Sequence, residues 1–215
     1  MFLILYLSWM SEPSDIYFTV ARKGESTYRE KASKFIGLAF PAASETEVKE
    51  ILGSIRKTYH DANHHCYAYC LGPSQETFRF NDDGEPSGSA GRPIYGQILS
   101  RSVSDTLVIV IRYFGGTKLG IPGLIHAYRQ AASEALDNAG KAEKVIAQNM
   151  IVSFRYENMN EVMRIQKEEE LELVNQHFDN ECRMTLRVRL SRLDKVMKKL
   201  IRIRNISTSL DTPDG

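Results

Sequence analysis

Thr106-Leu107-Val108-Ile109-Val110-Ile111 runs straight into Arg112-Tyr113-Phe114-Gly115-Gly116-Thr117-Lys118-Leu119-Gly120, and then into Ile121-Pro122-Gly123-Leu124-Ile125. The first run is apolar and β-branched without polar alternation, which predicts a strand covered on both faces. Two glycines end it, and Pro122 suits the first turn of a helix. Over 122–138, Leu124, Ile125, Tyr128, Ala131, Ala132, Ala135 and Leu136 recur at helical spacing, with Gly140 just past the end. A buried strand feeding an amphipathic helix through a glycine loop makes this a mixed α and β layer.

Upstream, 16–20 reads as a short apolar segment and 24–28 as polar and turn-like. A strand is expected at 35–40, ending at Pro41. Ser44 is placed as an N-cap with Glu47 at the capping-box position, followed by Val48, Ile51, Leu52 and Ile55 at helical spacing. An aromatic-rich strand at 65–71 closes at Gly72-Pro73, a short strand follows at 77–80, and a short helix at 93–99.

Downstream, 140–144 reads as a linker and the pattern changes. A strand (150–154), a helix (157–166) and two strands (171–178 and 182–190) are expected, then a helix (193–203) and an edge strand from Ile206. Met184, Leu186, Val188 and Leu190 alternate with Arg183, Arg187 and Arg189. β-α-β-β-α-β is the ferredoxin-like order. The expectation is an α+β protein of two domains, 12–140 and 145–210. Residues 2–10 are apolar but too short to span a bilayer, and they lack the basic flank and cleavage site of a signal peptide. We read 1–11 as a start-site extension, with Met10-Ser11-Glu12 suiting the start of the protein and an ordered hydrophobic N-terminal extension as the alternative.

The 215 residues are 42% hydrophobic and 26% charged, as in globular proteins. A net charge of +1 excludes a global pull toward nucleic acid or an anionic membrane. Three cysteines without a CxxC pair point to a reducing cytoplasm.

Two loops carry the chemistry. In the second, Gly115, Gly116 and Gly120 let backbone amides turn toward an anion, and Arg112, Lys118 and Arg129 add charge. It is not a P-loop, because Ile121-Pro122 stands where Lys-Ser/Thr is required. Equally, the glycines permit a tight strand-to-helix turn and nothing more.

The first loop, 81–93, holds Asp82, Asp83 and Glu85 among glycines and prolines. Its carboxylates admit Mg²⁺ binding, acid–base catalysis, or bracing of the loop through backbone N–H groups and pairing with Arg92 or Arg112. Bracing suits two adjacent acids beside Gly and Pro best. Ser87 and Ser89 are nucleophiles only beside a base. On the strand at 65–71, His64 and Cys66 share a face opposite His65, giving a packed histidine and thiol or a Cys-His pair. No metal site is expected. The C-terminal half is divided, with an acidic first part and Arg187, Arg189 and Lys198 in a basic second part. Strand and helix together present either one basic stripe or a solvated face neutralised by the acidic part.

Asp82-Asp83-Gly84-Glu85-Pro86-Ser87-Gly88 and Arg112-Tyr113-Phe114-Gly115-Gly116 resemble the signature of the IMPACT family, of the bacterial YigZ type. His64-His65-Cys66-Tyr67-Ala68-Tyr69 and Gly120-Ile121-Pro122-Gly123-Leu124-Ile125-His126-Ala127-Tyr128 are similar to its flanking pattern. The pieces occur in family order over about 12–138. The resemblance implies an N-terminal βα sandwich like domain IV of elongation factor G and a ferredoxin-like C-terminal domain. Eukaryotic relatives regulate translation initiation through a partner of a stress kinase. Bacteria lack that kinase pathway, so a general link to translation carries over. The expected partners are the ribosome, RNA or a translation factor, with no DNA specificity, no membrane and no cofactor. The alternative is a small hydrolase or ligand-binding enzyme using Asp82, Asp83, Glu85, His65 and Cys66.

Overall fold

The computed structural model describes residues 15–179 and 181–211; the 1–11 extension lies outside them. Two compact units emerge, Tyr17–Lys144 and a second made by 145–211 with 15–16. In the first, strands β1 (Ile16–Val20), β2 (Gly24–Glu30) and β3 (Ser33–Pro41) precede helix α1 (Glu45–Thr58). Then come β4 (His64–Leu71), β5 (Thr77–Asn81), α2 (Gly91–Ser100), β6 (Thr106–Tyr113), α3 (Gly120–Ala139) and β7 (Lys141–Val145).

The apolar run 106–111 lies in β6, the central strand of a five-stranded sheet ordered β2-β3-β6-β4-β5. It is covered on both faces. Val108 and Val110 pack with Ile94 and Ile98 of α2 and Tyr128 and Ala131 of α3. Leu107, Ile109 and Ile111 pack on the other side with Val48 of α1. Alternation alone explains the division, since successive strand residues point to opposite faces. Ser44 caps α1 by accepting the Glu47 amide at 3.2 Å, and Glu47 reaches back to the Ala43 amide at 2.7 Å. This is a capping box displaced by one residue at its return bond.

The polar segment at 24–28 is not a turn but part of β2, paired antiparallel with β3. Its inward positions are small because α3 lies almost on the sheet. The Ser26 hydroxyl donates to the Ala131 carbonyl at 2.7 Å. A Cβ built on neighbouring Gly37 would sit 2.3 Å from the same carbonyl oxygen, so only glycine fits there. Sequence periodicity misses a strand whose buried face is made of Gly and Ser rather than apolar side chains. The expected linker, 140–144, likewise contains strand: β7 pairs with β1 in a two-stranded sheet.

The second unit runs β8 (Ala147–Phe154), α4 (Met159–Glu168), β9 (Glu172–Phe178), β10 (Cys182–Arg189), α5 (Leu193–Leu200) and β11 (Ile206–Leu210). Its sheet order β11-β8-β10-β9 is ferredoxin-like. Met150, Val152, Met184, Leu186 and Val188 pack with Val162 of α4 and Val196 of α5. The α+β fold expected of the chain is therefore what it adopts. Among the described residues, no helix is long and apolar enough to cross a membrane.

Candidate functional site

The acidic loop folds around its own carboxylates. Asp82 Oδ1 accepts the amides of Ala90 at 3.0 Å and Gly91 at 2.8 Å, while Oδ2 accepts that of Gly88 at 2.9 Å. Asp82 thus caps α2 from eight residues before its N-cap, Ala90, putting negative charge where the helix exposes free amides. Asp83, in a left-handed conformation at φ 44°, accepts the His65 amide at 2.6 Å and Arg56 at 3.0 Å. The Glu85 amide closes the turn on the Asp82 carbonyl at 2.9 Å. Ser89 is buried, and its hydroxyl donates to the Pro86 carbonyl at 2.6 Å.

Glu85 reaches inward. One oxygen accepts Arg112 at 2.6 Å and the Tyr128 hydroxyl at 2.7 Å. Both ionic side chains are about 5% exposed. The guanidinium lies 5.4 Å from the Phe35 ring centre and 5.5 Å from that of Phe114, within cation–π range of both. Its Nε–H finds no partner among the described residues. Arg112 was read two ways, as a cation for an incoming anion and as a brace for the acidic loop; it is the buried counter-ion of Glu85, which is the bracing role. Spacing alone does not choose between the two, and only the returning loop does.

Cys66 extends the same network. Its thiol lies 3.0 Å from the Asp82 carbonyl and 3.3 Å from the Tyr128 hydroxyl. Burial first, and then the nearby carboxylates, push that thiol well above its ordinary value, against the Tyr128 hydrogen bond. Burial also raises the Tyr128 hydroxyl. His64 Nδ1 lies 2.8 Å from the Asp83 carbonyl, and its Nε2 is 3.8 Å from Glu85. His65 points to the opposite face, where its Nε2 meets the Tyr59 carbonyl at 3.0 Å. The candidates Asp82, Asp83, Glu85 and Cys66 therefore converge, and His65, on the face opposite Cys66, adjoins them at Asp83, with its Nδ1 3.8 Å from Oδ2. Tyr128, the hub between thiol and carboxylate, was legible only as an apolar-face residue of its helix.

The glycine loop divides in two. The Phe114 amide donates to Asn63 Oδ1 at 2.8 Å and the Gly115 amide to Ser33 Oγ at 3.1 Å. A Cβ on Gly115 would strike the Ala32 backbone at 2.1 Å. This first half is a tight turn held by the protein itself. Beyond it, Gly116 (φ 83°), Lys118 and Gly120 (φ 72°) are exposed, and α3 starts without a side-chain cap or an acid in its first turn. Further along α3, exposed Arg129 lines a groove of about 910 Å³ with Ile125, and with Phe80, Arg92, Tyr95 and Leu99 of β5 and α2. Sequence reasoning read Arg92 only as a counter-ion for the acidic loop and passed over Tyr95, since nothing local marks either as a neighbour of Arg129.

The single basic stripe does not form in the second unit. Arg187 and Arg189 alternate with Leu186 and Val188, whose face packs on α5, so they lie on the sheet face opposite Lys198. Lys195 and Lys199 of α5 both bind the Glu169 carboxylate, the former at 3.0 Å. Their hydrogen bonds hold Glu169 below its ordinary value.

Residues 31–136 match the Impact N-terminal domain. Over 162 residues the chain is 36% identical to the IMPACT family member YvyE of Bacillus subtilis (strain 168), a match covering 75% of each chain. It is 46% identical over 110 residues to an IMPACT family member in the pol 5′ region of Thermus thermophilus, covering 51% of this chain and 58% of that one. It is 36% identical over 108 residues to the IMPACT family member YigZ of Escherichia coli (strain K12), covering 49% and 53%. A solved crystal structure of a hypothetical protein superposes with a TM-score of 0.72 at 23% identity, over 93% of this chain and 98% of that one, a likeness of fold. The Impact N-terminal match together with a relative 36% identical and covered over three quarters of its length places this chain in the IMPACT family.

Proposed function

We propose that this protein is a translation-associated binding module that acts in the cytoplasm on RNA, the ribosome or a translation factor, and is not a hydrolase. The observation that carries this reading is the internal engagement of the acidic loop. Asp82, Asp83 and Glu85 each hold backbone amides or a cation of the same chain. Hydrolysis needs a base beside an activated nucleophile. Here the Cys66 thiol is pushed away from ionisation and the Ser89 hydroxyl is bound to a carbonyl. The loop is a scaffold. What it leaves facing outward is cationic: Lys118, Arg92 and Arg129 are all exposed. The three cysteines are free and buried, which suits a reducing compartment.

The test is co-sedimentation with ribosomes and bulk RNA between about 50 and 200 mM salt, the range over which phosphate contacts weaken measurably. The expected result is salt-sensitive binding that a Lys118→Ala/Arg129→Ala variant weakens without loss of melting temperature. Absence of binding to either at the lowest salt overturns the reading.

A further inference from the structure

We infer that the groove between β5, α2 and α3 seats single-stranded RNA, with bases stacked on the rings of Phe78, Phe80 and Tyr95 and phosphates paired with Arg92 and Arg129. The inference rests on the binding-module reading and names its ligand and its site.

Phe78 and Phe80 are two apart on β5 and therefore project to the same face of the sheet. Their cross-strand partners Cys70 and Ala68 belong to the core under α2, which fixes that face. Tyr95 of α2 stacks on both: its ring centre is 4.9 Å from that of Phe78 at 16°, and 5.9 Å from that of Phe80 at 29°. The Tyr95 ring thus stacks against two rings of the edge strand; Phe80 and Tyr95 line the groove and Phe78 adjoins it through Tyr95. Phe78 is 51% exposed, Phe80 39% and nearby Leu99 42%. Exposed rings held in one orientation by stacking offer flat faces to a ligand. The intervening Arg79 pairs in register with Tyr69, on the α1 face, and takes no part.

Charge selects the occupant. No carboxylate lines the groove. Arg92 and Arg129 are exposed and make no ion pair among the described residues. A ligand that suits parallel aromatic faces and two free guanidinium groups must combine flat apolar units with negative charge at each unit. Nucleic acid has both. A duplex keeps its bases stacked on one another, whereas a single strand offers them to aromatic side chains. The translation reading selects RNA over DNA.

The test uses the intact protein and a fluorescently labelled oligouridine of about ten nucleotides, within the range one such groove accommodates. Binding is followed by anisotropy, with oligodeoxythymidine and an RNA duplex as comparison ligands. Two variants separate the site from the fold. Arg92→Ala/Arg129→Ala removes the cations and is expected to flatten the slope of log affinity against log salt by about 1.4. Gly96→Leu fills the groove: a Cβ on Gly96 of α2 meets nothing within 4 Å, so the side chain enters open space. Leucine is the better helix former, so the melting temperature is retained, while affinity is expected to fall at least tenfold.

Loss of RNA affinity in both variants supports the inference. Wild-type RNA binding that both variants keep overturns the groove and leaves the binding-module reading standing. Equal or tighter binding of the duplex or of DNA overturns the assignment to single-stranded RNA. Ribosome binding lost in the variants, with no wild-type affinity for the oligonucleotide, gives the groove to a protein partner and overturns the RNA assignment. No wild-type binding to RNA or ribosomes at any salt overturns both readings together.

Discussion

Arg112 shows most sharply how one residue changes meaning between chain and fold. Its position at the end of an apolar strand, before two glycines, was legible, and so was its charge. Pairing with the acidic loop was one of its two readings, but which acid it meets and how deeply the pair is buried were not legible, because Glu85 is 27 residues away and approaches through a loop held by Asp82 and Asp83. A buried ion pair with one partner removed leaves a charge in a medium that solvates it poorly. Arg112→Ala is therefore expected to destabilise the protein by about 3–5 kcal/mol, measured by urea unfolding. Loss of RNA binding in that variant would report unfolding and not a lost phosphate contact. Bracing by Asp82 was readable in kind from acids beside Gly and Pro. Its specific role, as a remote cap of α2, required seeing where that helix begins.

Among the elements, the α4–α5 pair carries a pH dependence of its own. Glu169 follows α4 and receives Lys195 and Lys199 from α5. Those hydrogen bonds lower its carboxyl from an ordinary value of 4.5, against the opposing effect of burial. A carboxyl depressed in the folded state binds protons less readily there than in the unfolded chain. Its stabilising effect is therefore full above the ordinary value and lost as the pH falls through the folded one. Wild type is expected to exceed Glu169→Gln in stability near neutral pH, with the gap closing as the pH falls below about 4.5. Chemical denaturation of both proteins across that range checks it. The basic run around α5 was visible in the chain, and so was the possibility that the acidic segment neutralises it, but not the single acid that does so, since Glu169 was one among several nearby. The same limit hid β2: its inward residues are small to admit α3, and smallness carries no period.

For the whole molecule, net charge sets the scale of any encounter with RNA. At +1 the chain has no long-range pull, so affinity depends on a few local contacts. Two arginine–phosphate contacts correspond to a salt slope near −1.4 and about a sevenfold loss of affinity between about 50 and 200 mM. A titration of oligouridine binding over that range measures it, and a far steeper fall would mean that cations beyond Arg92 and Arg129 take part. The chain alone determined the α+β class, the doubly covered strand β6, the long helix after the glycine loop and the β-α-β-β-α-β order of the C-terminal part. All of these follow from local periodicity and turn chemistry, which act over a few residues. The tertiary structure decided which charges are buried as counter-ions and which stay free, because that depends on contacts between residues far apart in sequence. It brought Phe80, Arg92, Tyr95 and Arg129 around one groove from a strand and two helices, and no pattern along the chain records that meeting.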